Sequence, residues 1–202
     1  MSKTLFISID VEADGPIPIP YSMLSFGAAA FHLDHFTPTS DDAHLQNLGT
    51  FEANLELLHG GMQDPDTMKW WAKNQAAYDA TRVDTQFPPE AMRKFREWVE
   101  KLAEEHESRP VLCGYPVTYD FMFIYWYLVR YTGFPAPFGF QGLCIKTLAA
   151  DRMGVEFRQA TKRRMPKHWF RGCPSHTHHA LDDALGQGVL LMNILNDRVC
   201  RF

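Results

Sequence analysis

The chain predicts an α/β fold: a mixed five-stranded sheet, an antiparallel meander followed by parallel strands, flanked by helices. Three observations predict it. Three strand-like segments follow one another in the first third of the sequence. The apolar pattern then changes to helical spacing. From there to the C-terminus, further strands alternate with helices, which calls for a sheet covered on its faces.

The first strand is Thr4–Val11, an apolar run ending in acids. Ser22–Leu33 is small and apolar, and Gly49–Leu58 alternates through Phe51, Ala53, Leu55 and Leu57. Asp64-Pro65-Asp66-Thr67 then signals a helix start, a capping acid before a first-turn proline, with Met68–Lys73 as the helix. Pro88-Pro89-Glu90 opens a second helix, in which Met92, Phe95, Trp98, Val99 and Leu102 share a face. Pro110–Gly114 is a short strand, and Thr118–Tyr131 is a nearly all-apolar helix that must be buried. Phe138–Ile145 is a strand and Lys146–Arg152 a short helix ended by Gly154. Residues 155–177, basic and interrupted by Pro166 and Pro174, read as a loop before a last helix, Ala180–Leu195.

The length of 202 residues fits one domain with a sizeable core, and no repeat or linker divides residues 1–202. Hydrophobic residues at 46% and charged residues at 22% are what a globular protein carries. No stretch approaches the ~18 consecutive apolar residues of a membrane span. The acidic N-terminus lacks the basic and apolar regions of a secretion signal. The cysteines at 113, 144, 173 and 200 form no C-x-x-C pair and no disulfide framework, so a cytoplasmic location is expected.

A net charge of −4 argues by itself against a nucleic-acid partner, but the distribution argues for one. Between Phe157 and Leu181 there is no acid, while Arg158, Lys162, Arg163, Arg164, Lys167 and Arg171 make a basic segment. The negative charge sits elsewhere, partly in three short stretches. Asp10 and Glu12 end the first strand, where positions i and i+2 project from one face. Two adjacent anions repel unless a cation bridges them, and hard oxygen donors favour Mg²⁺ or Mn²⁺. Asp120 opens the apolar helix, and His178 and Asp183 flank the start of the last one. Taken singly, each stretch has a plainer reading as a strand end or as helix-start acids favoured by the dipole.

The joint pattern is more specific. Asp-x-Glu on a first strand, an aromatic-Asp at a later helix start and His-x4-Asp on the last helix resemble the DEDD exonuclease superfamily in its His-containing branch. That branch includes ribonuclease T, oligoribonuclease and the polymerase proofreading subunit. The matching residues are Asp10, Glu12, Asp120, His178 and Asp183. The Tyr-containing branch does not match, because the position four before the last Asp is His179. One departure is Tyr115, where many members carry Asn five residues before the middle Asp.

The resemblance implies a ribonuclease-H-like fold and a single 3'–5' exonuclease domain acting on single-stranded nucleic acid, with RNA favoured over DNA. It implies two divalent cations roughly 3.5–4 Å apart, held by Asp10, Glu12, Asp120 and Asp183. It makes His178 the general base and a 5'-mononucleotide the product. It also transfers a base-touching aromatic to Trp70, and it allows a homodimer. Within the basic segment, Arg164 and Lys167 are candidates for tracking phosphates and Trp169 or Phe170 for stacking a base.

Three other readings compete. A catalytically inactive nucleic-acid binder of the same fold would keep the pattern without turnover. A haloacid-dehalogenase-type phosphatase requires Asp where Glu12 stands and a later Gly-Asp pair that is missing. A zinc module built from Cys173, His176, His178 and His179 is too compressed for a structural site.

Overall fold

The computed structural model describes residues 3–175 and 177–197. Its sheet has strand order β3-β2-β1-β4-β5. The strands are β1 (Lys3–Ala13), β2 (Met23–Phe31), β3 (Gly49–Asn54), β4 (Ser108–Gly114) and β5 (Gly142–Cys144). β1 runs antiparallel to β2, and β2 to β3, while β1 with β4 and β4 with β5 are parallel. The helices are α1 (Pro65–Trp71), α2 (Gln75–Ala80), α3 (Pro88–Glu105), α4 (Val117–Thr132), α5 (Ile145–Met153) and α6 (Ala180–Asn196).

The period-two alternation of β1 divides the core into two layers. Leu5, Ile7, Ile9 and Val11 pack with Met92, Phe95 and Val99 of α3 and with Phe123, Ile124 and Tyr127 of α4. Phe6 points the other way, into a cluster with Ile145 and Ala149 of α5 and Val189, Leu190 and Leu191 of α6. Asp10 and Glu12 continue that second face toward α6.

β2 is buried along all nine residues, and its small side chains let α6 lie directly on it. A Cβ on Gly27 would collide with the backbone of Ala180 and Leu181, and one on Gly188 would meet the ring of Phe31. The first turn of α6 is therefore seated over Gly27, which is the register partner of Asp10.

The sequence expectations need four adjustments. The helix at Asp64 is Pro65–Trp71, with Asp64 accepting from the Thr67 N–H at 2.8 Å. A further short helix, α2, follows it. The strand expected over Phe138–Ile145 is only Gly142–Cys144, because Phe138 turns into the core and Gly139 takes a left-handed φ of 58°. The basic segment is not an open loop, since residues 157–159, 162–164 and 167–170 form 3-10 turns. Gly154 ends α5 in the left-handed conformation, φ 61°, as its position suggested. No helix among the described residues is long and apolar enough to cross a membrane.

Candidate active site

The site lies where β1 outruns β4. The ladder between them ends at Ser8 and Cys113, so the backbone of Val11 lacks a strand partner on that side. Asp120, in the first turn of α4 and 6% exposed, supplies one: its carboxylate accepts from the Val11 N–H at 3.0 Å. Asp120 is thereby fixed between its two sequence-distant neighbours, Asp10 and Glu12. The carboxyl ends of parallel strands at a change in strand order are where open α/β sheets bind ligands.

From the other side, α6 brings Asp183, 5% exposed in its first turn. One turn further on, Gln187 donates from its amide nitrogen to Asp10 at 2.7 Å. Just before the helix, His178 takes a left-handed φ of 59°. Donor atoms of Glu12, His178 and Asp183 all lie within 4.8 Å of one another.

The electrostatics follow from crowding carboxylates in a desolvated corner. Burial pushes Glu12 up to about 9, with the charges of Asp10, Asp183 and Asp120 adding to the effect. Asp10 rises to about 7, chiefly by burial and then by Asp183, while the charge of Lys162 and the Gln187 hydrogen bond oppose the rise. Asp120 is raised well above the usual carboxylate range by burial and by Asp10, against the Val11 N–H. A divalent cation would relieve each of these penalties at once. The donor set, carboxylate oxygens with one imidazole, suits a hard ion.

The chain from Ala13 to Trp71 brings an aromatic to the same place. The Trp71 indole donates to the Ala13 carbonyl at 3.0 Å, and the Asp64 N–H to the Asp14 carbonyl at 2.9 Å. These bonds tie α1 to the end of β1. Trp70, 40% exposed, then meets the His178 ring edge to face at 5.2 Å between centroids.

The basic segment corrects one expectation. Trp169 is not available to stack a base, because it is fully buried and its indole donates to the Asp197 carboxylate at 2.6 Å. The 3-10 turn it belongs to rolls the ring inward against α6, where Asn193 donates to its carbonyl at 2.9 Å. Arg164 and Lys167 are exposed on their turns. Beside Asp183 and Gln187 the lining cation is instead Lys162.

Lys162 carried no sequence signal that separated it from its basic neighbours. Gln187 did carry one. It is a polar side chain in an apolar helix, four residues after Asp183 and hence on the same face. The zinc reading finds no support at Cys173, whose thiol is pushed up to about 12 by burial and donates to the Gly186 carbonyl at 3.4 Å. His176 and Cys200 lie outside the described residues.

A model of the 3'-5' exoribonuclease Rv2179c-like domain matches residues 6–195. The chain belongs to this Rv2179c-like family. As an Rv2179c-like domain it is a 3'–5' exonuclease, a hydrolase of phosphodiester bonds. The 3'-5' DNA exonuclease Cap18 of Escherichia coli is 33% identical, over 72% of this chain and 68% of its own length.

Solved structures share the Rv2179c-like chain's fold at low identity. A 3'-exonuclease described in its recognition of a histone mRNA stem-loop superposes with a TM-score of 0.69 at 13% identity, covering 99% of this chain and 84% of that one. The nuclease domain of 3'hExo, a DEDDh family member bound to rAMP, gives 0.65 at 12%, covering 98% and 94%. S. pombe Pop2p in its Mg²⁺- and Mn²⁺-bound form gives 0.62 at 13%, covering 96% and 83%. The ribonuclease-H-like expectation for the sheet holds.

Proposed function

We propose that the protein removes 5'-mononucleotides one at a time from the 3' end of single-stranded nucleic acid, with Mg²⁺ or Mn²⁺. The observation that carries this reading is the convergence of Glu12, His178 and Asp183, drawn from opposite ends of the chain, at the strand end that carries Asp10 and that Asp120 of α4 caps.

Asp10, Glu12, Asp120 and Asp183 hold the cations, which would supply charge neutralisation and Lewis acidity at the phosphodiester and its attacking water. Gln187 fixes the orientation of Asp10. His178 takes the proton from the attacking water. Trp70, packed on the His178 and Trp71 rings and 40% exposed, offers its open face to the terminal base. RNA is the favoured strand, in keeping with the family's description. DNA is the second reading, supported by the 33% identity to a DNA exonuclease.

The test uses paired RNA and DNA oligomers labelled at the 5' end, with Mg²⁺, with Mn²⁺ and with chelator. A metal-dependent ladder shortening from the 3' end, faster on RNA, is expected. Release of a labelled 5' product, or turnover that survives chelation, would overturn the reading.

A further inference from the structure

Tyr115 stands where many DEDD enzymes carry Asn, and the structure shows what it does. Its hydroxyl donates to the Ala160 carbonyl at 2.7 Å, joining the end of β4 to the basic segment. Its ring supports the Lys162 ammonium, whose Nζ sits 5.3 Å from the ring centroid. Ala160, fully buried, fixes the chain two residues before that lysine.

Held in this way, Lys162 lines a cavity of about 240 Å³ together with Asp183, Gln187, Phe170 and Cys173. Its neighbours are otherwise disposed. Arg171 pairs with Asp41 at 2.8 Å, and Arg163, Arg164 and Lys167, exposed as Lys162 is, do not line that cavity.

We propose that Lys162 is a phosphate-binding residue of this site, with Tyr115 as its positioning residue. The ammonium takes a non-bridging oxygen of a phosphate in the substrate strand, entering through the cavity between Lys162 and Asp183. A cation held by an aromatic face keeps its donors for such a ligand, whereas a lysine in a salt bridge must first give up its partner. This assignment rests on the exonuclease reading and names the element of the basic segment that meets substrate.

The contact forms in the bound strand as well as in the transition state, so its loss falls on KM. Lys162→Ala should raise KM about tenfold and leave kcat within about twofold, while Lys162→Arg keeps most of the affinity. Strand binding is read separately by anisotropy of a 5'-labelled oligomer in the Asp10→Asn background, which blocks turnover. There, Lys162→Ala should flatten the slope of log Kd against log salt by about 0.7, the release of one counterion from a single strand. Lys101→Ala, on α3, removes the same charge and should change neither reading. Tyr115→Leu should raise KM severalfold and add less than about twofold on top of Lys162→Ala, with melting temperature checked to confirm folding.

Equal KM and equal salt slope in Lys162→Ala and the parent would overturn the assignment. If the wild-type protein releases no nucleotide but Lys162→Ala still weakens strand binding, the exonuclease reading fails and this one stands. If neither turnover nor strand binding is found, both fail.

Discussion

Asp10 and Gly27 face each other across the β1–β2 ladder, and the backbone of Ala180 and Leu181 rests where a side chain on Gly27 would be. One missing Cβ thus sets the distance between the first acidic pair and the last helix. Gly27→Ala should push α6 off the sheet, at a cost of about 1–3 kcal/mol from overpacking. Activity should fall further than that loss of stability explains, because Asp183 and His178 move with the helix. Thermal unfolding and kcat measured on the same preparation check this. Activity near the parent's with a lowered melting temperature would show that the helix position is not critical.

Gln187 donates to Asp10 at 2.7 Å, and its carbonyl oxygen is buried without a hydrogen-bond partner among the described residues. Replacing Gln187 with Leu should raise the Mg²⁺ concentration for half-maximal activity by about 10–100-fold, the usual effect of losing a group that orients a ligand. A metal titration of activity reads this. An unchanged midpoint would make Gln187 a packing residue only.

The raised carboxylates make the metal-free protein sensitive to alkali. The ordinary values of 3.8 for Asp10 and 4.5 for Glu12 rise to about 7 and about 9 on folding. The folded state therefore holds protons that the unfolded state has released, and stability falls as pH rises between those limits. The contribution is fully present below about pH 4 and is lost as pH passes through 7 toward 9. The melting temperature in chelator should drop across this window, and the rise on adding Mn²⁺ should be larger at pH 8.5 than at pH 6. A Mn²⁺ effect independent of pH would contradict the crowding account.

Two tryptophans should separate cleanly. Trp169→Ala removes a fully buried ring and should cost about 3–5 kcal/mol of stability. Trp70→Ala removes an exposed ring against His178 and should raise KM severalfold with little change in melting temperature. Paired melting and kinetic measurements test both, and the reverse pattern would invert their roles.

The legible parts of this fold are those with a period. The alternation of β1 puts Asp10 and Glu12 on one face, whereas the apolar helix after Tyr115, expected to be buried, buries one face only: Phe123, Ile124, Tyr127 and Leu128 lie in the core, while Met122, Tyr125, Trp126 and Val129 stay partly exposed. α2 escaped because none of its six residues is buried, leaving no apolar stripe to read. The inward ring of Trp169 is not legible, because its cationic neighbours suggest a solvated loop, whereas a 3-10 turn places one ring inward while Lys167 and His168 stay in water. The seat of α6 on Gly27, the Tyr115–Ala160 bond and the Lys162 cavity depend on contacts between segments distant in the chain, 45 residues apart for Tyr115 and Ala160, which no local pattern encodes.

The proposed function requires residues from β1, α4 and the start of α6 to form one catalytic centre with His178 as its base. Single-turnover hydrolysis of a 5'-labelled strand by His178→Ala, with Mg²⁺ saturating, tests it most directly. The rate should fall by about 10²–10⁴-fold with strand binding largely retained. A wild-type rate in His178→Ala would contradict it.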